Sequence, residues 1–303
     1  MRLLFLPILL FFLHSCSVEN PQQSAQTGKI KVVCTTSMLG DMAKAVGGNL
    51  VEVEVLMGPG VDPHLYKASQ GDVEKLTACD VIVYNGLHLE GKMAGVLEKT
   101  ARNKKAFVAA NALIQNEILQ LEGAADPHIW FDVSLWEKVC KSMQTSFAEA
   151  YPQHANQFAA NAEKYQSELA ELHKWAMTEI GMLAPENRKL VTAHDAFGYF
   201  GRAYQLDVHA LQGISTSAEF GLKDLSDLVK FICEEKVPAI FIESSISDRS
   251  MKAVQEGCAE RNWEVTIGGM LYADAPGSAG TPEATYIGMF KHNVNTIKAA
   301  LSK

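Results

Sequence analysis

Two rhythms of apolar and polar residues alternate along the chain. Residues 51–56 read Val-Glu-Val-Glu-Val-Leu, a period-two pattern that predicts a strand with one wet face. Residues 31–36, 80–85 and 106–110 are short, largely apolar runs of strand character. Between them lie helical stretches. The first carries Met38, Met42 and Val46 on one side, with Ser37 placed to cap it, and others cover 70–77 and 91–101. A less regular stretch follows, then a helix over 134–150. Strands that alternate with helices in this way predict a mostly parallel sheet flanked by helices.

The middle of the chain breaks that rhythm. Phe158, Ala162, Tyr165, Leu169, Leu172 and Ala176 are spaced four or three apart, a sustained helical stripe over about 152–182, stopped by Pro185. After it the strand-helix alternation resumes. Strands are expected at 189–193, 208–211, 239–243 and 265–267, and helices after His194-Asp195 and over 223–235, 248–261 and 282–301. The fold class is therefore α/β. It has two lobes, each with a mostly parallel sheet flanked by helices, joined by one long backbone helix. The expected boundaries are 30–151 for the first lobe, 152–184 for the linking helix and 185–303 for the second lobe. A single domain with one long core helix is the competing arrangement.

Composition changes this picture mainly at the ends. The chain has 303 residues, 48% of them hydrophobic and 20% charged, with a net charge of −8, which argues against nucleic-acid binding. Arg2 and the apolar run 3–13 are too short for an ordinary membrane span and fit a secretory leader. Leu13-His14-Ser15-Cys16 resembles a bacterial lipobox, so residues 1–16 are expected to be a lipoprotein signal peptide with Cys16 the lipidated residue. The Gln-, Ser- and Asn-rich stretch 17–29 then reads as a flexible tether. Cys34, Cys79, Cys140, Cys233 and Cys258 are scattered and odd in number, which argues against a disulfide framework or a thiolate zinc site; they are expected to be small buried apolar residues.

The chemistry lies just past the predicted strand ends. Asp62-Pro63-His64 and Asp126-Pro127-His128-Ile129-Trp130 share a triplet whose proline stiffens the loop before each histidine. In the second half, His194 ends a strand and Asp274 follows another, and ligands of open α/β sheets collect beyond the strands' carboxyl ends. Three imidazoles and one carboxylate suit a divalent first-row transition ion. Glu243, also at a strand end, is the rival for the fourth position. Asp62, Asp126 and Asp195 are expected as acceptors for the far imidazole nitrogens, and Trp130, Phe131, Phe197 and Phe200 as a wall against water. His88, His154, His173, His209 and His292 read as solvated or structural. Hydrolase and nucleotide-binding signatures are absent, and a fourth protein ligand closes the coordination sphere, which favours binding over catalysis. A secreted zinc-dependent hydrolase is the alternative; a surface adhesin has no sequence feature in its favour.

Residues Gly60 to His64, Asp126 to Trp130, Thr192-Ala193-His194-Asp195-Ala196-Phe197 and Tyr272-Ala273-Asp274 occur in that order around a central long helix. Together they resemble the solute-binding lipoproteins of zinc/manganese-type ABC importers, over essentially the whole mature chain. The resemblance implies two lobes on a rigid helix, with metal ligands at His64, His128, His194 and Asp274. It also implies an extracytoplasmic, lipid-anchored monomer that delivers its ion to an ABC permease and its ATPase subunit. The stretch 113–125 lacks the histidines of zinc-specialised members, and His194 stands where many manganese members carry glutamate. Three nitrogens favour zinc over manganese and ferrous iron in intrinsic affinity; the transported ion stays open.

Overall fold

A computed structural model describes residues 28–121 and 123–302; the expected leader, Cys16 and the tether up to residue 27 lie outside the described residues. The first half is built on strands β1 (Ile30–Thr36), β2 (Val51–Met57), β3 (Val81–Tyr84) and β4 (Lys105–Val108), all parallel, in the order β2-β1-β3-β4. β2 is an edge strand, which is why Glu52 can stay exposed while Val51, Leu56 and Met57 are buried. Helices α1 (Ser37–Gly47), α2 (Gln70–Ala78) and α3 (Ala94–Ala101) connect these strands. Ser37 does not cap α1. Its hydroxyl donates instead to the carbonyl of Met57, tying the start of α1 to the end of β2, and Thr36 holds the cap position with extended backbone. A two-residue antiparallel ladder of β5 (Gln120–Leu121) and β6 (Ala124–Ala125) precedes the second Asp-Pro-His.

Helices α4 (Val133–Ala150) and α5 (Ala155–Gly181) then pack against each other. At 1.5 Å per residue, the 27 residues of α5 span about 40 Å. Its buried face is the stripe expected from the spacing, Phe158, Ala162, Tyr165, Leu169, Leu172 and Ala176, extended by Ile180. The helix contacts α1 and α4 of the first half as well as α6 (Gly198–Tyr204) and α9 (Tyr286–Leu301) of the second. One apolar cluster runs from Val32 and Cys34 of β1 through Leu169 and Leu172 to Phe290 and Val294 of α9. The two halves therefore share buried surface along the helix. Asp41 of α1 strengthens the join, because its carboxylate accepts the backbone N–H of Tyr286 (3.1 Å) and the hydroxyl of Tyr165 (3.4 Å).

The second half comprises β7 (Lys189–His194), β8 (Asp207–Gln212), α7 (Leu222–Glu234), β9 (Ala239–Glu243), α8 (Arg249–Glu260) and β10 (Thr266–Leu271), with α6 and α9. Its strands form two parallel pairs, β7-β8 and β9-β10, and β7 lies beside β9. β10 is longer than the expected strand at 265–267 because it runs through Gly268-Gly269. These glycines let α9 and β9 approach: a Cβ on Gly268 would stand 2.7 Å from that of Ala300, and one on Gly269, whose φ is +145°, would stand 2.5 Å from Thr296 Cγ2. Cys34, Cys79, Cys140, Cys233 and Cys258 are free thiols.

Candidate metal centre

The two Asp-Pro-His loops are the same device. In each, the aspartate side chain accepts the backbone N–H of the histidine two residues on, at 2.8 Å from Asp62 to His64 and 2.9 Å from Asp126 to His128. The side chain imitates a backbone turn, and the proline between them fixes its φ, so each imidazole leaves a rigid loop. Asn85 Nδ2 donates to the Pro127 carbonyl and the Tyr199 hydroxyl to that of Asp126, which pins the second loop from both sides.

In the second half, His194 is the last residue of β7 and Asp274 lies just beyond β10. His64, His128, His194 and Asp274 are all buried, and one donor atom from each lies within 4.8 Å of the others. The close approaches are His64 Nε2 to His128 Nε2 (3.2 Å), His194 Nε2 to Asp274 Oδ2 (3.4 Å) and His128 Nε2 to Asp274 Oδ1 (3.5 Å). Four donors held tetrahedrally at 2.0–2.1 Å from a common ion stand about 3.3 Å apart. Neither Asp274 oxygen nor His194 Nε2 has a protein hydrogen-bond partner, although all three are buried. Such groups are costly to bury unpaired, and a divalent cation offsets that cost by binding all of them at once.

Carboxylates hold the far nitrogens of His128 and His194 but not, as expected of Asp62, that of His64. Asp126 Oδ1 meets His128 Nδ1 at 2.7 Å, as expected. For His194 the acceptor is Glu243, not Asp195: Oε2 stands 2.5 Å from Nδ1, while Oε1 accepts the backbone N–H groups of Ala193 (2.8 Å) and His194 (2.9 Å). Both Glu243 oxygens are thereby engaged away from the other imidazoles. Its strand-end position made it visible as a rival ligand, but nothing in the sequence paired it with His194, 49 residues away. Asp62 serves the backbone of His64 and, through Oδ2, accepts the hydroxyl of Thr216 (2.6 Å), a contact with no sequence signal.

This asymmetry governs protonation. Burial lowers the pKa of all three imidazoles. For His128 and His194 the carboxylates outweigh it: Asp126 and Asp274 raise His128 to about 9, and Glu243 and Asp274 hold His194 well above its ordinary value. For His64 burial wins, helped by the neighbouring imidazoles, and its pKa falls to about 3 despite Asp274. Burial raises the Asp274 pKa, but His194 and His128 overcome this and keep the carboxylate ionised. Neutral imidazole and carboxylate are the ligand forms a metal requires.

The surroundings close all but one side. Trp130 sets its ring edge-on to His128 at 5.2 Å and donates from Nε1 to the carbonyl of Ala273 (3.0 Å), while the Tyr286 hydroxyl donates to the Trp130 carbonyl (2.6 Å). Phe131, Phe197 and Phe200 pack on one another behind it, all fully buried. A cleft of about 980 Å³ opens on the other side; His64 is the one member of the cluster in its lining, with Asn111, Pro127, Ser215 and Ser217 among the rest. Among the described residues, the five other histidines stay outside the cluster. His173 bonds the Tyr204 hydroxyl, His209 stacks on Phe231, and His292 bonds the Met270 carbonyl.

Comparison with known proteins places this arrangement. A family model described as the periplasmic component A of a zinc-uptake complex matches residues 32–300. The manganese-binding lipoprotein MntA of Bacillus subtilis (strain 168) is 47% identical over 293 residues, covering 96% of this chain and 95% of that protein. The zinc-binding protein TroA of Treponema pallidum (strain Nichols) is 43% identical over 301 residues, covering 99% and 97%. The solved structure of the periplasmic zinc-binding protein TroA from Treponema pallidum superposes with a TM-score of 0.89 at 44% identity, over 91% of this chain and all 100% of the other.

Proposed function

The chain belongs to the family of the periplasmic component A of zinc-uptake complexes, and from that premise we propose that it captures a divalent transition ion between its two halves and hands it to an ABC permease. His64, His128, His194 and Asp274 are the ligands in this reading, and the ion is cargo. The observation that carries it is the buried convergence of three imidazoles on a carboxylate whose oxygens make no protein hydrogen bond. Zinc is the ion the site is best suited to hold, on its nitrogen-rich donor set. Asp274 turns one oxygen toward His128 and the other toward His194. Binding through both oxygens would give five donors, so manganese and ferrous ion belong among the ions to be tested as cargo.

The protein acts outside the cytoplasm, in the periplasm or at the cell surface, held by a lipid on Cys16, and works as a monomer with a permease and its ATPase subunit. The lipobox resemblance and the lipoprotein relative MntA support the anchor. No helix of the described residues is long and apolar enough to cross a membrane. The role is binding and not catalysis, since the cluster supplies a full set of protein donors; the hydrolase alternative finds no support in the names of the relatives. Metal analysis of the purified protein tests the reading. One zinc or manganese per chain is expected, and His64→Ala combined with His194→Ala should abolish it. Undiminished binding by that double variant would overturn the assignment.

A further inference from the structure

We propose that Thr216 is a positioning residue for metal retention: its hydrogen bond to Asp62 latches the open side of the site, and release begins when that bond breaks and frees His64. The inference rests on the metal-binding reading above and extends it to the route by which the ion leaves.

Thr216 lies in the connection between β8 and α7, and its hydroxyl crosses to Asp62 Oδ2 in the other half of the molecule. Both ends of the bond are joined to ligand-bearing backbone. On one side Asp62 Oδ1 holds the N–H of His64. On the other, Gln212 Nε2 donates to the carbonyls of Thr216 (3.1 Å) and Ala218 (2.6 Å), and Gln212 is the residue opposite His194 in the β7-β8 register. The bond therefore ties the loop of one histidine to the strand of another.

Its location matters as much as its partners. Elsewhere the halves are joined by buried bonds from Trp130 to Ala273 and from Tyr286 to Trp130, and by a part-buried one from Tyr286 to Asp41. On the cleft side, Ser215 and Ser217, the neighbours of Thr216, line the opening with His64. The loop around Asp62 approaches the second half there as well: a Cβ on Gly60 would stand 3.7 Å from the Ser244 carbonyl oxygen. His128 and His194 each have a carboxylate on Nδ1, whereas Asp62 steadies His64 through its backbone. His64 is thus the ligand that faces the cleft and the one whose placement passes through the latch.

The test measures the rate at which zinc-loaded protein yields its ion to an excess of a chromogenic chelator, alongside zinc stoichiometry and melting of the metal-free protein. Thr216→Val should bind one zinc and release it about tenfold faster, roughly the effect of one hydrogen bond to a carboxylate. Thr216→Ser should return to the wild-type rate, and metal-free melting should stay put in both. Adding Thr216→Val to His64→Ala should give no further acceleration, because the latch acts through His64. A Thr216→Val rate within twofold of wild type would overturn the latch while leaving the metal site intact, and additive acceleration would overturn the route through His64. A wild-type protein that binds neither zinc nor manganese nor ferrous ion would overturn both readings together. Were Thr216→Val to fold poorly, Thr216→Ala removes the same hydroxyl with less bulk and carries the same expectations.

Discussion

Glu243 and His194 meet at 2.5 Å between Oε2 and Nδ1, and the same carboxylate holds the backbone N–H groups of Ala193 and His194 through its other oxygen. One side chain on β9 thus fixes the rotation, tautomer and backbone of a histidine on β7. Asp274 differs, with two buried oxygens that make no protein hydrogen bond. The two acids should separate on mutation. Glu243→Gln is expected to weaken zinc binding about 10- to 100-fold, as is usual when the group behind a ligand histidine is altered. Asp274→Ala should weaken it much further, since it removes the charge that partly balances the ion. Competition titrations against a chelator of known affinity decide; a larger loss in Glu243→Gln would exchange their roles.

The protonation pattern predicts opposite pH trends for metal-free and metal-loaded protein. His128, raised to about 9, and His194, also raised, are charged in the metal-free fold at pH 7. A raised imidazole pKa stabilises the fold fully below its unfolded value near 6.5 and ceases to do so as pH climbs through the folded value. Stability of the metal-free protein should therefore decline from about pH 6.5 to about 9 on account of these groups. Zinc must displace the same protons, so its affinity should rise across that window. Calorimetric titration in two buffers of different ionisation enthalpy measures the displacement. At pH 7 about two protons per zinc are expected, and an enthalpy independent of buffer would contradict the scheme.

Much of this was legible in the chain, for identifiable reasons. The stripe from Phe158 to Ala176 repeats at helical spacing over about five turns, and no short-range feature competes with it. The repeated Asp-Pro-His is local chemistry, an aspartate bonding the N–H two residues on, so the triplets could be read as stiff loops. What stayed hidden depends on long-range geometry. Glu243 reaches His194 across 49 residues and Thr216 reaches Asp62 across 154, and no local pattern marks either. Asp195 was the expected acceptor because it is adjacent in sequence. β10 runs past the expected 265–267 because Gly268-Gly269 lets α9 lie against the strand, a long-range contact. Ser37 has the chemistry of a cap and spends it on Met57.

Trp130 offers a test of the closed side. Its indole N–H is the direct bond from the second Asp-Pro-His loop to the backbone beside Asp274. Trp130→Phe keeps most of the ring but leaves the Ala273 carbonyl buried without that donor, at an expected cost of about 1–3 kcal/mol. Because Ala273 precedes Asp274, part of the effect should appear as weaker zinc binding. Denaturant unfolding with and without zinc measures both parts. A variant as stable as the wild type in both states would show that the bond contributes nothing to joining the halves.

Leu169 tests whether the long helix is a shared core element. It is fully buried on α5, in the apolar cluster that includes residues of both halves. Leu169→Ala removes a large side chain from a site where neighbours on two sides limit collapse, so a loss of about 2–5 kcal/mol is expected. If the halves fold around one core, the loss should move a single cooperative transition followed by tryptophan fluorescence and by far-UV circular dichroism together. Zinc stoichiometry should remain one per chain, because none of the four clustered residues, His64, His128, His194 and Asp274, lies on α5. If instead the two probes separate into distinct transitions already in the wild type, α5 is a connector between independently stable halves, and the substitution should then shift only one of them.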